Sequence, residues 1–437
     1  MEQGKIVGIA GSPRNRISPN ELLDILDRCD DFDALYDIIY KLGGDKKISN
    51  SEGILLAAMY GAKEMGLAVG HILLKEFFVK HKSLEKQKEL LGLEIQQSAG
   101  LILSSPVYFG DRSSLIADTI SRIQDSGGPL PLDGKAVGSI AVGAKRNGGQ
   151  ETTNVFALFD CISLGACVVG NGPPTSQYGG TAVGGGMGAI IDDAFGLKTS
   201  RGTGQRVALL ARTMALDPAG TEDKFRIVFL VTRTDREGYF IDKIKNLPFS
   251  AATQVEVVDI TQMKIARCRA CSVCPNGNLK DAYTCVIPPL SGSGRRDDMQ
   301  KIHRFMAPAD IIILAHYNGP NAGVDHYQVF MERTRFIRRN QFELTNRVFS
   351  AFYETHCSPD IFTLRGLSSF LRHNMFLVGP FYCAFRQSGA ICFESVDTKM
   401  YVARLETMAR KARMARALGY NTIETSYLPV GYPGEKK

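Results

Sequence analysis

Lys5-Ile6-Val7-Gly8-Ile9-Ala10-Gly11-Ser12-Pro13-Arg14 decides the fold. From Ile6 to Ala10 the run is wholly apolar, with no period-two alternation. That pattern suits a strand buried on both faces of a parallel sheet, and it breaks at Gly11 into a tight turn. Downstream, Ser18-Pro19-Asn20-Glu21 reads as a capping box with proline at the first helical position, opening helical sequence that stops near Gly43-Gly44. A second capping box, Ser49-Asn50-Ser51-Glu52, starts a helix that runs to about Gly66. Residues 101–108 and 136–143 are further apolar runs ending in turns. Buried strands alternating with helices predict a doubly wound α/β sheet.

The pattern recurs. Ile227-Val228-Phe229-Leu230 repeats the first strand, and Ala309-Asp310-Ile311-Ile312-Ile313-Leu314 repeats the stretch that begins at Ala99, each offset by about half of the 437 residues. Two related domains in tandem follow, at 1–216 and 224–437. Their boundary lies in Asp217-Pro218-Ala219-Gly220-Thr221-Glu222-Asp223, whose proline and glycine suit a linker.

Composition narrows the class. Apolar residues at 44% and charged residues at 22% are ordinary globular usage. The net charge of +7 is spread along the chain with no basic arm of the kind that grips nucleic acid. The first residues lack the basic start and long apolar stretch of a signal peptide, and no apolar run approaches the ~18 residues that suggest a membrane span. A cytoplasmic protein, with neither nucleic acid nor membrane as partner, is the expectation. Of the ten cysteines, Cys268, Cys271, Cys274 and Cys285 share one 18-residue window, where an even spread would put about 0.4. Closely spaced thiols in a cytosolic chain point to metal or redox ligands rather than to disulfides.

Two constellations carry chemistry. In the first, the turn Gly11-Ser12-Pro13-Arg14 and the helix start Ser49-Asn50-Ser51 offer backbone N–H groups, hydroxyls and a guanidinium, a set suited to phosphate. A capped helix after an ordinary turn is the plainer alternative. In the second, Cys268-x2-Cys271-x2-Cys274-Pro275-x9-Cys285 follows the logic of ferredoxin loops, in which a closely spaced triplet and a later thiolate hold a cubane cluster. Structural zinc sites draw on two separated cysteine pairs, so the triplet favours iron and sulfur; zinc and unligated thiols stay open as alternatives.

With these residues in view the chain resembles the NADPH-dependent FMN reductase group of flavodoxin-like proteins, and above all its iron–sulfur flavoprotein branch. The resemblance rests on Gly11-Ser12-Pro13-Arg14 with Ser49-Asn50-Ser51, on Ser105-Pro106-Val107-Tyr108-Phe109-Gly110 and on Gly148-Gly149-Gln150-Glu151. It also rests on the cysteine motif followed by Asp297-Asp298-Met299. The chain departs from it in a helical insertion near 15–48, which parts the two halves of the phosphate loop, and in a longer final cysteine spacing. The resemblance implies two flavodoxin-like domains. In the first, Ser12, Arg14, Ser49, Asn50 and Ser51 would hold the FMN phosphate, Pro106, Val107, Tyr108 and Phe109 would line the isoalloxazine ring, and Gly148, Gly149, Gln150 and Glu151 would meet its polar edge. Cys268, Cys271, Cys274 and Cys285 would hold a [4Fe–4S] cluster in the second. There the phosphate turn has become Thr232-Arg233-Thr234-Asp235-Arg236-Glu237-Gly238, whose acids repel phosphate, so a second FMN is not expected.

An oxidoreductase follows, one that passes electrons between NAD(P)H or ferredoxin and an unidentified one-electron acceptor, the cofactors supplying the chemistry and no protein acid or base assigned. Two rivals stay open: an accessory subunit that delivers electrons to a larger redox enzyme, and a flavin or quinone reductase with a structural zinc. Relatives of the fold associate through the flavin edge, which leaves a homo-oligomer open too. Other features have plainer readings. Gly179–Gly188 lacks the Gly-Lys-Ser ending of a nucleotide loop and reads as a loop, over the flavin edge or simply on the surface. Arg333, Arg335, Arg338 and Arg339 read as a solvated helix face, His316, His326, His356 and His373 as structural, and Cys357, Cys383 and Cys392 as small core residues.

Overall fold

The computed structural model describes residues 4–126, 128–218, 224–271, 274, 285, 287, 297–318, 325–339, 342–356, 360–387 and 390–421. Pro275, Gly319, Pro320, Cys357 and the linker residues Ala219 to Asp223 lie outside them, and nothing in the described helices is long and apolar enough to cross a membrane. The chain divides into two units between Ala215 and Leu216.

Unit 1 begins with β1 (Lys5–Ala10), then α1 (Pro19–Asp27), α2 (Phe32–Gly44), α3 (Asn50–Glu64) and β2 (Val69–Leu73). After α4 (Leu74–Lys80) and α5 (Leu84–Gln97) come β3 (Ser98–Pro106), α6 (Ser114–Asp125), β4 (Ala136–Gly143) and α7 (Gln150–Ser163). Short strands β5 (Cys167–Val168) and β6 (Gly180–Val183) precede the closing helix α8 (Ala194–Met214). The sheet runs β2-β1-β3-β4-β5, all parallel, with β6 parallel to the carboxyl half of β4. Every residue of β4 is buried, as a central strand covered on both faces requires. Helices α3 and α8 pack on each other and on β1, β3 and β4, while α5 packs on β3 and α6.

Unit 2 repeats the plan. It contains β7 (Phe225–Arg233), α9 (Tyr239–Lys245), β8 (Thr253–Asp259), α10 (Met299–Met306), β9 (Ile311–Asn318), α11 (Asp325–Arg333) and α12 (Arg335–Arg339). Then follow β10 (Val348–Thr355), α13 (Asp360–Leu371), β11 (Phe376–Val378), β12 (Tyr382–Gln387), β13 (Ala390–Glu394) and α14 (Thr398–Ala417). Its parallel order is β8-β7-β9-β10-β11, with β12 beside the carboxyl half of β10 and β13 antiparallel to β12. Numbered within each unit, both sheets have the order 2-1-3-4-5, so the chain is two flavodoxin-like doubly wound domains in tandem.

The helices begin where the caps direct. Ser18 accepts from the Glu21 N–H at 3.2 Å, and the Ser49 capping box closes in both directions with Glu52. The single helical stretch expected from Pro19 to Gly43 is two helices, because Asp31 accepts from the Ala34 N–H at 2.8 Å and caps a new start. Nor is Gly179–Gly188 wholly a loop: residues 180–183 form β6, since β4 offers its carboxyl half as a pairing edge. Cys383 is buried, but Cys392 is exposed, for β13 is the outer strand of a hairpin with every residue open to solvent.

Candidate functional site

The site is built where the strands of unit 1 end. Around the crossover between β1 and β3, Gly11 N–H donates to the Ser104 carbonyl at 2.9 Å. Ser113 Oγ donates to the Gly11 carbonyl at 2.6 Å, and Ser105 Oγ accepts from the Ser113 N–H at 2.9 Å. These bonds fix the phosphate turn against the loop after β3, at the topological switch point where such sheets take ligands.

Within the turn, Ser12 is buried and its hydroxyl accepts from the Arg14 N–H at 3.2 Å, while the Arg14 side chain is exposed. The two halves of the phosphate loop meet despite the insertion. Ser49 Oγ donates to Asn15 Oδ1 at 2.7 Å, and the buried Glu52 carboxylate accepts from the N–H groups of Arg16, Ile17 (2.6 Å) and Ser49 (2.8 Å). Burial raises the Glu52 carboxyl above its ordinary range, against the pull of the Ser49, Ile17 and Arg16 donors. Asn15 is fully enclosed, and its Nδ2 has no hydrogen-bond partner. An enclosed amide donor without an acceptor costs on the order of 1–3 kcal/mol, a cost that an oxyanion at this corner would remove. Ser51 is buried, its carbonyl accepting from Ser104 Oγ at 2.9 Å.

Asn50 has a structural task. Its Nδ2 donates to the carbonyls of Gly184 (2.9 Å) and Gly186 (2.7 Å) and its Oδ1 accepts from the Ile190 N–H at 3.0 Å, so it straps the glycine-rich segment to the start of α3.

The ring loop is held by a Val107 N–H bond to the Val142 carbonyl at 3.0 Å and by reciprocal Tyr108–Asp111 backbone bonds. At its tip Phe109 has φ +52° and a fully exposed ring, and Tyr108 is half exposed. A non-glycine residue held in the left-handed region with an uncovered aromatic ring makes this loop a candidate ligand contact. Pro106 ends β3 just before it. The loop after β4 closes against this tip: a Cβ on Gly149, whose φ is +103°, would stand 2.6 Å from the Gly110 Cα. Thr152 Oγ1 also donates to the Gly110 carbonyl at 2.7 Å. Gln150 is buried; its Nε2 donates to the Lys145 and Ala182 carbonyls at 2.7 and 3.0 Å and its Oε1 accepts from Gly148 N–H at 2.9 Å. Glu151 is exposed.

All three sequence-predicted loops thus come together. Sequence reasoning missed Asn15, Glu52, Ser113 and Thr152. Asn15 directly follows the quoted turn, and Glu52 had been assigned only a capping role.

In unit 2 the phosphate position is filled from within. Asp235 accepts from the N–H groups of Glu237 (3.0 Å), Tyr239 (3.0 Å) and Phe240 (2.8 Å) at the start of α9. Burial works to raise its carboxyl, but the Phe240, Tyr239 and Glu237 donors outweigh it and hold the group below its ordinary value. The four histidines have structural partners: Thr232 for His316, the Ile260 carbonyl for His326, Tyr317 for His356 and Thr334 for His373.

The stem of the cysteine segment is clamped by the acids that precede α10. Asp297 accepts from the N–H groups of Ala266 (3.0 Å) and Met299 (2.9 Å), and Asp298 accepts from the Lys264 N–H at 3.0 Å. Arg333 is not on a solvated face. Its side chain is 1% exposed and pairs with Asp297 at 2.6 Å. It also donates to the Ala266 carbonyl at 2.8 Å and reaches Cys285 Sγ at 3.6 Å. Its place on the last turn of α11, turned inward to Asp297, overrides the charge pattern; Arg335 is exposed as expected. Cys268 Sγ accepts from the Ala270 N–H at 3.4 Å, and all four thiols are half-buried. Residues 275–284 lie outside the described residues, and among the described residues no three His, Cys, Asp or Glu groups are gathered as a metal site. The donor set itself, four soft sulfurs with N–H groups reaching two of them, fits an iron–sulfur cluster.

The family description "NADPH-dependent FMN reductase" matches residues 37–178. An iron–sulfur flavoprotein of Methanocaldococcus jannaschii is 35% identical over 209 residues, 47% of this chain and 95% of that protein. Among solved structures, a flavone reductase aligns with a TM-score of 0.32 at 16% identity, over 48% of this chain and 63% of its own. A WrbA-like flavodoxin from Agrobacterium tumefaciens aligns with a TM-score of 0.25 at 14% identity, over 45% of this chain and 99% of its own. On the strength of the 35% identity across nearly the whole of the archaeal relative, the chain belongs to the iron–sulfur flavoprotein branch of the NADPH-dependent FMN reductase family.

Proposed function

We propose that unit 1 holds FMN, that Cys268, Cys271, Cys274 and Cys285 hold a [4Fe–4S] cluster, and that the protein passes electrons between NAD(P)H or ferredoxin and a one-electron acceptor. FMN supplies exchange of electrons in pairs or singly and a cluster supplies exchange one at a time. The observation that carries the reading is the unpartnered Asn15 Nδ2, enclosed beside Ser12 and Ser49 at the switch point of the sheet. Together with the Ser12 and Ser49 hydroxyls and the first N–H groups of α3 it would take the phosphate, with Arg14 free to swing in from solvent. Tyr108 and Phe109 would cover the ring and exclude water from it, and the backbone from Gly148 to Glu151 would meet its polar edge. In unit 2, Arg333 and the Ala270 N–H would orient the sulfurs of Cys285 and Cys268. A cytoplasmic location belongs to the same proposal, since these thiols must stay reduced.

The test is the absorbance spectrum of anaerobically purified protein with flavin, iron, sulfide and zinc counted per chain. About one FMN with four iron and four sulfide is expected; FMN with zinc would replace the cluster by a structural metal, and absence of flavin would remove the FMN assignment. Cys271→Ser should abolish iron while sparing flavin, and Arg14→Ala with Asn15→Ala should do the reverse. Loss of both cofactors in each folded variant would overturn the division of labour.

A further inference from the structure

Unit 2 has its own switch point, between β7 and β9, and it is not furnished like that of unit 1. There β9 carries the buried His316, in register with Arg233 at the end of β7. Thr232 Oγ1 bonds His316 Nδ1 at 2.8 Å. On the other side of His316, Tyr353 of β10 is in register, and its hydroxyl lies 2.5 Å from where a Cβ on Gly366 of α13 would stand, which brings the neighbouring Arg365 to the same end of the sheet. Burial together with the positive fields of Arg233 and Arg365 pushes the His316 pKa down to about 3.

Both arginines are half-buried, and Arg233 Nη1 and Arg365 Nε are enclosed without a hydrogen-bond partner. Neither guanidinium makes an ion pair among the described residues. The carboxylates at the neighbouring strand ends are committed elsewhere: Asp235 to the start of α9, Asp259 to Thr261, and Glu354 to Lys243 and Arg386. Two half-buried like charges at one end of a sheet, with no counter-charge among the described residues, cost free energy unless an anion joins them. Guanidinium forks are matched to oxyanions, and a phosphoryl group, with a charge of about −1.5 to −2 at pH 7, balances two of them.

We propose that the switch point of unit 2 binds a phosphoryl group between Arg233 and Arg365. The group is either free phosphate or the phosphate of a nucleotide. FMN is disfavoured as its source, because Asp235 already occupies the helix N-terminus that an FMN phosphate would need. The inference stands apart from the flavin assignment in unit 1.

The experiment is calorimetric titration of the full-length protein as purified with inorganic phosphate, and separately with NADP+ and NAD+, in the wild type, Arg233→Gln and Arg365→Gln. Saturable phosphate binding is expected, weakened at least tenfold in either variant. The melting temperature of the phosphate-free variants should be unchanged or higher, since each removes an uncompensated cation. Tighter binding of NADP+ than NAD+, in competition with phosphate, identifies a nucleotide as the source; binding of phosphate without that preference identifies the free ion. Should Arg233→Gln fail to fold, Arg365→Gln on a different element decides alone. No detectable phosphate binding, or binding equal in wild type and variants, overturns the proposal.

Discussion

Acid should loosen unit 1 through one residue of its outermost strand. His71 lies on β2, both ring nitrogens are enclosed without a hydrogen-bond partner, and burial pushes its pKa down from 6.5 to about 4. Below pH 6.5 the unfolded chain takes up a proton that the native imidazole refuses, so the stability due to neutral His71 is present near neutrality. It is lost as pH falls towards about 4. At pH 5 the unfolded imidazole is almost fully protonated and the native one only about a tenth, and linkage puts the loss relative to pH 7 at about 2 kcal/mol. His71→Leu removes the titration and two orphaned polar atoms, so at pH 7 it should be as stable as wild type or more so. Because the chain has no tryptophan, urea unfolding is best followed by far-UV circular dichroism at both pH values. His316 and His373 also titrate low, but they are common to both proteins and cancel in the difference. The wild type should lose about 2 kcal/mol more than the variant between pH 7 and pH 5; parallel losses would refute the reasoning.

Other perturbations have equally definite outcomes. Gly204→Ala would place a Cβ 1.7 Å from the Ala58 carbonyl oxygen where α3 crosses α8, and should lower stability by about 3 kcal/mol or more, read as a melting-temperature drop of several degrees. Glu52→Ala strips the acceptor from the enclosed N–H groups of Arg16, Ile17 and Ser49; about 3 kcal/mol of stability should be lost in denaturant unfolding. Flavin affinity, titrated by fluorescence quenching, should fall with it. Arg333→Gln breaks a buried pair with Asp297, at a cost of about 3–5 kcal/mol, and should reduce iron per chain while flavin per chain stays at the wild-type level. Asp235→Ala should destabilise unit 2 by about 1–2 kcal/mol at neutral pH. Because the native carboxyl titrates below its ordinary 3.8, that difference should persist down to about this value and vanish as pH falls further, in unfolding curves measured across the acid range.

What the sequence disclosed follows the range of the interactions involved. Strands β1, β4, β7 and β9 are dominated by apolar residues, and the caps at Ser18 and Ser49 are local hydrogen bonds, so neighbouring residues specify them. The three loops of the site sit directly after such strands and were legible for the same reason. The parts that escaped depend on distant partners. Asn50 is 134 positions from Gly184, and a glycine-rich segment carries no sign that its carbonyls will be grasped or that β4 will pair with it. Arg333 has charged neighbours on both sides and looks solvated until Asp297, 36 positions earlier, is brought beneath it. Asn15 is adjacent to the turn in sequence, yet its importance lies in an amide with no acceptor, a property that exists only once Ser49 has closed over it.

The hydrogen bond between Asn15 and Ser49 has a consequence for the cost of the chain between them. It joins side chains 34 positions apart, so everything between them, α1 and α2 included, departs from and returns to a single spot. Loop-closure entropy rises only with the logarithm of length, which makes such an excursion inexpensive to acquire once its ends are pinned. The pinning is done by the Glu52 carboxylate and the Asn15 amide rather than by the inserted helices. The excursion therefore costs little entropy to keep, yet it is not idle: α1 and α2 pack on α3, and Leu22, Leu26, Leu35 and Ile39 are buried, so cutting it out would expose an apolar face of the domain.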